Sequence, residues 1–139
     1  MEKLTPDDAF KLGDQFRDAA IVLGEWRIKN RASLSQSQWD KLDDQQITLL
    51  NIASSLYTGA IGLVLTDSQT PLARLQSGIE SAKSAVKHIE KFKQALDLAS
   101  ALILFGGAVY SGNAAGIPAA IVALQDATEA IVTSRDEDA

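Results

Sequence analysis

The chain has 139 residues and a formal net charge of −5, and this length is enough to bury a hydrophobic core as a single domain, residues 1–139. It contains no cysteine and one histidine, which excludes disulfides, thiolate metal sites and multi-histidine metal sites. Its 18 acidic residues outnumber its 13 basic ones, and this balance disfavours a nucleic-acid partner. Three prolines and nine glycines are too few for an all-β chain punctuated by turns.

The two ends of the sequence are polar. The first residues read MEKLTPDD and lack the basic region and the apolar run of a secretory signal, so we expect a cytoplasmic protein. Residues 135–139 read RDEDA, which predicts a short acidic tail that frays.

The first predicted helix covers residues 6–29. Thr5 can cap this helix, Pro6 suits its first position, and the two aspartates that follow lie at the positive end of the helix dipole. Apolar residues then recur at steps of three and four as far as Trp26, which places them on one helix face.

A second helix is predicted over residues 36–65. Ser35 and Gln38 resemble a capping box at its start. The three-and-four spacing of apolar residues continues through it, with a polar interruption at Gln46. Its second half also carries apolar residues on a neighbouring face, so the apolar stripe widens along the chain. The sequence DSQTP at residues 67–71 then predicts a turn.

The third predicted helix extends over residues 71–110, with no proline inside it. Its apolar spacing shortens by one residue at Phe92, which predicts a bend or a change of partner face near residues 89–93. Gly106 and Gly107 weaken its end.

A fourth and shorter helix is predicted over residues 117–133, after a break at Ser111-Gly112-Asn113. Helices joined by short connections lie antiparallel to their neighbours. The sequence therefore predicts an all-α fold, an antiparallel up-down-up-down four-helix bundle with unequal helix lengths (6–29, 36–65, 71–110 and 117–133).

The sequence contains no motif for catalysis or for cofactor binding. The one imidazole, His88, lacks the glutamate three residues before it that carboxylate-type metal bundles use, because that position holds Ala85. The chain has neither a Gly-x-Ser-x-Gly elbow nor a phosphate-binding Gly-x-x-x-x-Gly-Lys loop. We therefore predict no catalytic residue, no metal, no cofactor and no enzyme activity.

Lys83, Lys87 and Lys91 recur at steps of four and form a candidate basic patch. Such a patch suits an acidic partner, a phosphate or an anionic membrane surface. The alternative, which we favour, is a solvated helix face that the acidic first helix balances. Trp26 and Trp39 also lie among cations, where aromatic rings can stack on bases or meet a membrane, but their apolar spacing favours a place in the core.

Two stretches of helix length carry no charged residue, residues 45–66 and 98–125. The second is longer than the roughly 20 residues of a membrane-spanning helix, but breaks at residues 111–113 and 116–118 divide it into arms too short to span. A helix that is apolar on more than one face needs cover on more than one side. We therefore expect a homo-oligomer, most simply a two-fold dimer, or a helical protein partner.

The candidate interaction surface combines the second helix with the hairpin end formed by the last two helices. Its predicted residues are Leu50, Tyr57, Ile61, Val64, Leu104, Phe105, Val109 and Tyr110.

Three functions stay open from the sequence. The favoured one is a non-enzymatic helical bundle that acts through self-association or by binding a protein partner. The second is a membrane-active bundle of the pore-forming type, in which the apolar hairpin at residues 98–125 engages lipid. The third is a carrier that holds a small apolar ligand between its helices, with Tyr57 or Tyr110 as the polar group.

Overall fold

The computed structural model describes residues 6–58, 72–111 and 116–137. Over these residues the chain forms five α-helices and no strand, which confirms the all-α prediction. The helices are α1 (Pro6–Lys29), α2 (Gln36–Thr58), α3 (Leu72–Ala85), α4 (Phe92–Ser111) and α5 (Ile117–Glu137).

The predicted starts of the first two helices are confirmed. α1 begins at Pro6. At α2, Ser35 and Gln38 form the predicted capping box: the N–H of Gln38 donates to Ser35 Oγ at 3.1 Å, and the N–H of Ser35 donates to Gln38 Oε1 at 2.9 Å. These two bonds satisfy backbone donors that the helix itself leaves without acceptors.

Two predicted helix ends have different outcomes. The end expected near residue 65 and the turn expected at residues 67–71 lie outside the described residues. α5 begins at Ile117 as predicted but continues to Glu137 instead of ending at residue 133. The first part of the expected acidic tail therefore belongs to a helix.

The single helix predicted over residues 71–110 is wrong, because the chain reverses its direction between α3 and α4. α3 ends at Ala85, a short 3-10 helix follows at Val86–His88, and Ile89 is extended with φ −67° and ψ 127°. The reversal falls where the shortened spacing predicted a bend, and it replaces the four predicted helices by the five observed ones.

Side chains hold this reversal in place. Gln94 closes the start of α4, where its Oε1 accepts hydrogen bonds from the N–H groups of Glu90 and Lys91 at 2.9 and 3.1 Å. From α1, the indole Nε1 of Trp26 donates to the carbonyl of Ile89 at 3.0 Å. Side chains therefore satisfy the N–H groups of Glu90 and Lys91 and the carbonyl of Ile89, in a turn that contains neither glycine nor proline.

The five helices surround the core in the order α1, α2, α4, α5 and α3. α1 and α2 are antiparallel: Arg27 Nη1 lies 2.9 Å from Asp43 Oδ1 at one end, and Gly13 lies against Tyr57 at the other. This pair has the most extensive helix–helix contact in the described part of the fold.

The remaining directions follow from cross-helix contacts. α2 and α4 run parallel, since Gln45 Nε2 donates to Ser100 Oγ at 2.8 Å and Ile52 lies against Gly106 further along. α3 runs parallel to α1, since Gln15 bonds to Gln76 near one end and Trp26 bonds to Ile89 near the other. After the reversal, α4 runs antiparallel to α3. α5 is antiparallel to α4 and lies against both α3 and α4.

One continuous core fills the space between the helices. Phe16 of α1 and Phe105 of α4 are completely buried at its centre, with ring centroids 5.8 Å apart. Burial of each large apolar side chain stabilises the fold by about 1.5–3 kcal/mol. The other large side chains with no exposure are Leu12, Leu49, Leu75, Ile79, Leu98, Leu102 and Ile117.

Candidate interaction surface

α4 and α5 both present apolar residues to solvent. Leu104 of α4 is 56% exposed and Val122 of α5 is 51% exposed. Two clefts open beside Leu104, and this side chain lines both of them. The first cleft has a volume of about 540 Å³ and the second of about 430 Å³.

Small side chains create both clefts. Gly107, Ala108 and Ala119 line the first, and Ala123 and Ala130 line the second. At Gly107, no heavy atom lies within 4 Å of the position that a Cβ would take. We call Leu104 and the residues that line these two clefts the α4–α5 face; it combines a projecting leucine with a depression on each side.

The α4–α5 face is almost free of charge. Its charged members are Asp97 and Asp126, which line the second cleft. The first cleft is lined by apolar and small residues. Covering the first cleft with another apolar surface removes no charged group from water, so the desolvation cost there is small.

The eight predicted surface residues fall into four groups. Leu104 and Tyr110 are exposed. Phe105 and Val109 have no exposure and belong to the core, so their place on the predicted surface is wrong. Ile61 and Val64 lie outside the described residues.

Leu50 and Tyr57, the remaining two predicted surface residues, are partly buried and pack against the core. The Tyr57 hydroxyl donates a hydrogen bond to Asp14 Oδ1 at 2.5 Å. The pKa of Tyr57 is raised to about 12, first by burial and then by the hydrogen bond to Asp14 and the negative charge of that residue. Tyr57 therefore joins α2 to α1 and is engaged within the fold.

The three lysines of the predicted basic patch do not share one helix face. Lys83 lies on α3, and its Nζ is 3.3 Å from Glu80 Oε2 and 4.0 Å from Asp18 Oδ2. Lys87 is exposed on the 3-10 helix, and Lys91 is exposed at the end of the chain reversal, directly before α4. A spacing of four residues places side chains on one face only within a continuous helix. The chain reversal interrupts the helix, so the predicted patch does not form as one face.

The two tryptophans have different surroundings. Trp26 is buried, as its spacing predicted, and it belongs to the core. Trp39 is partly buried, and the guanidinium groups of Arg27 and Arg31 lie over its ring, 4.2 and 4.5 Å from the ring centroid. The ring is thus already in contact with cations of the same chain.

His88 lines a groove between α3 and α5, beside Ser84 and Thr128. Within residues 6–58, 72–111 and 116–137, no three histidine or carboxylate side chains come together as a metal-ligand group. The described residues thus provide no metal centre around this imidazole.

α4 is longer than the arm expected from the charge-free stretch, because it begins at Phe92 and includes Lys93 and Asp97. In the described part of the chain, the segment Phe92–Tyr110 is long and apolar enough to cross a membrane by length and composition, and 44% of it is buried in the fold. A core helix of a helical bundle has the same length and composition.

Comparison with protein-family models, with curated proteins and with solved structures finds no match to this chain. The interpretation of the α4–α5 face therefore depends on its own geometry and chemistry.

The sequence did not indicate that residues of α5 such as Ala123 and Ala127 would join the surface. Small residues such as Gly107, Ala119 and Ala120 allow the two helices of a hairpin to pack closely. Two small side chains that face each other across a helix pair also leave a depression at the surface, and this is the sequence feature that points to the two clefts.

Proposed function

We propose that this protein is a non-enzymatic helical module that acts by self-association, with the α4–α5 face of one copy covered by the same face of a second copy. The observation that carries the proposal is the exposed Leu104 between two apolar depressions. A surface with both a projection and matching depressions is self-complementary, because each copy supplies what the other receives. A two-fold interface requires this property.

Charge determines where a second copy can approach this protein. The whole chain carries a net charge of −5, so two copies repel each other through most of their surfaces. The α4–α5 face carries charge only at Asp97 and Asp126 of the second cleft. Two copies therefore approach with least repulsion where Leu104 meets the first cleft.

The test is sedimentation velocity over a range of protein concentrations from low micromolar upwards. The wild-type protein is expected to form dimers, and the Leu104→Asp variant is expected to stay monomeric because its carboxylates would be buried at the interface. Ile47→Asp is the matched control, since Ile47 is 48% exposed on α2, outside the α4–α5 face. Circular dichroism shows whether each variant is folded.

A wild-type protein that is monomeric at every concentration overturns the proposal. Equal loss of dimer in the Ile47→Asp and Leu104→Asp variants also overturns it, because the interface would then not be specific to the α4–α5 face. A monomer that binds an unrelated helical protein through Leu104 would also overturn self-association. The α4–α5 face would then be an interaction surface for a different partner.

The length and composition of α4 favour one second candidate function, the membrane-active bundle. In this function α4 and α5 leave the bundle and insert into lipid as a hairpin, with close packing of their small residues. Dye leakage from anionic and from neutral vesicles tests it, with Gly107→Asp as the variant that places a charge in the hairpin. Leakage by the wild type that Gly107→Asp abolishes would support this function over self-association, whereas intact vesicles exclude it under those conditions.

A further inference from the structure

A third cleft lies on another side of the molecule, between the C-terminal part of α1 and the turn that follows α3. Its volume is about 340 Å³, within the range of small-molecule pockets. Val22, Trp26, Val86 and Ile89 contribute an apolar lining, and the last three are buried almost completely. We call this depression the Trp26 cleft; it shares no residue with the α4–α5 face.

The walls of the Trp26 cleft are joined to each other. Trp26 belongs to α1 and Ile89 to the turn after α3, and the hydrogen bond from the indole Nε1 to the Ile89 carbonyl links them at 3.0 Å. The indole ring is therefore held in one orientation. A cleft with fixed walls binds a ligand without an added cost of ordering side chains.

Lysines surround this apolar lining. Lys29, Lys83 and Lys87 line the cleft together with one carboxylate, Glu25. The charge of Lys83 is matched by Glu80. Lys29 and Lys87 are exposed and form no ion pair with the described residues.

This local excess of lysine is opposite in sign to the chain as a whole, which has 18 acidic and 13 basic residues. An apolar cleft with cations at its edge is complementary to a molecule that has an apolar body and a negative end. Lys29 and Lys87 also lie at helix ends, where cations stabilise the helix dipole, so binding and folding stability are measured separately below.

We propose that the Trp26 cleft binds a small amphipathic carboxylate, with its apolar body against Trp26 and its carboxylate at Lys29 and Lys87. The residues that form the site are far apart in the sequence and meet only through the chain reversal after α3. The site is independent of the proposed self-association, and either can fail without the other.

The experiment uses the full chain with the Trp39→Phe substitution, which leaves Trp26 as the sole tryptophan. Titration with sodium decanoate is expected to change the intensity and the emission maximum of Trp26 fluorescence in a saturable way. The double variant Lys29→Gln/Lys87→Gln is expected to bind decanoate roughly tenfold more weakly, the sum of two exposed ion pairs of about 0.7 kcal/mol each. The matched control, Lys11→Gln/Lys41→Gln, makes the same change of charge at two exposed lysines outside the cleft.

Two further measurements separate the apolar and the charged contributions. Val22→Phe places a larger side chain in the cleft and is expected to abolish the fluorescence change while both lysines stay in place. Decyltrimethylammonium, which has the same chain and the opposite charge, is expected to bind at least tenfold more weakly than decanoate. Urea denaturation of each variant shows that the protein is folded under the conditions of the titration.

Three outcomes overturn the proposal. They are a Trp26 emission that decanoate does not change in a saturable way, an equal affinity of the cleft and control lysine variants, and equal binding of the anionic and cationic probes. Dimer formation measured by sedimentation is not affected by any of these outcomes.

Discussion

Gly106 of α4 lies directly against Ile52 of α2. A Cβ atom on Gly106 would be 2.8 Å from Ile52 Cγ2 and 3.1 Å from the ring of Phe16, so the absence of a side chain is what allows α4 to approach α2 and α1 this closely. The next residue, Gly107, has open space at the same position. Two adjacent glycines with the same helical conformation thus have opposite surroundings.

This difference predicts opposite effects of the same substitution. Gly106→Ala is expected to lower the free energy of unfolding by about 1–3 kcal/mol, because the added methyl group forces Ile52 or the helix to move. Gly107→Ala is expected to raise it by up to about 1 kcal/mol, because alanine has the higher helix propensity and meets no neighbour.

Urea denaturation in the Leu104→Asp background measures both glycine variants in a form that is expected not to self-associate. Equal effects of the two substitutions would show that helix propensity alone determines the change in the free energy of unfolding. In that case α4 would not approach Ile52 as closely as described.

The sequence could predict that Gly106 and Gly107 weaken a helix, but not that one of them faces a neighbouring helix. The same limit applies to the whole fold. Apolar spacing and capping residues predicted the starts of α1, α2 and α5, because both are local properties of the chain. The arrangement of helices around the core depends on contacts between distant residues, which spacing does not report.

The reversal between α3 and α4 shows this limit most clearly. Its local indication was the one-residue shortening at Phe92, which suggested a bend in a continuous helix. The bonds that convert the bend into a reversal come partly from Trp26, which is 63 residues away from Ile89 in the sequence. For the same reason the sequence does not predict the Trp26 cleft, although Trp26, Lys83 and Lys87 are all candidate residues in the sequence.

The side chain of Gln94 provides a second prediction. Its Oε1 accepts hydrogen bonds from two backbone N–H groups at the start of α4, so Gln94→Ala leaves both without this acceptor. We expect the free energy of unfolding to fall by about 1 kcal/mol, a typical value for the loss of a helix cap.

Gln125→Ala is the matched control for Gln94→Ala, since Gln125 is exposed within α5 and its replacement by alanine slightly favours the helix. Thermal unfolding followed by circular dichroism measures both variants. Equal stability of the two would show that Gln94 does not hold the reversal.

Arg27 and Trp39 lead to a third prediction. The guanidinium of Arg27 stacks 4.2 Å from the Trp39 ring centroid and is 2.9 Å from Asp43. Its side chain is only 12% exposed. Arg27→Lys keeps the charge but loses the planar group that stacks and pairs at the same time, so we expect a loss of about 1 kcal/mol of stability.

Arg31→Lys serves as the comparison, because Arg31 stacks on the same ring from an exposed position. Its effect is expected to be smaller, since an exposed cation–π contact contributes about 0.5–1 kcal/mol at most. Urea midpoints show which of the two variants loses more stability. A larger loss of stability in Arg31→Lys contradicts the assignment of Arg27 as the principal contact of Trp39.

The last prediction concerns the dependence of stability on pH. The pKa of Tyr57 is raised from 10.0 to about 12 in the folded protein, first by burial and then by Asp14. Above pH 10 the phenol of the unfolded chain loses its proton while the folded protein retains it, so the unfolded state binds fewer protons and stability falls as the pH rises. The contribution of Tyr57 is complete below the unfolded pKa and is lost between that value and the folded pKa.

Tyr57→Phe removes this contribution. The unfolding free energies of the wild type and of Tyr57→Phe, measured from about pH 8 to about pH 11, are expected to converge as the pH rises. The titration of lysines affects both proteins equally and does not change the difference between them. Asp14→Asn in a Tyr110→Phe background is expected to shift the phenolate absorbance of Tyr57 to lower pH, and an unchanged titration would show that Asp14 does not contribute to the raised pKa.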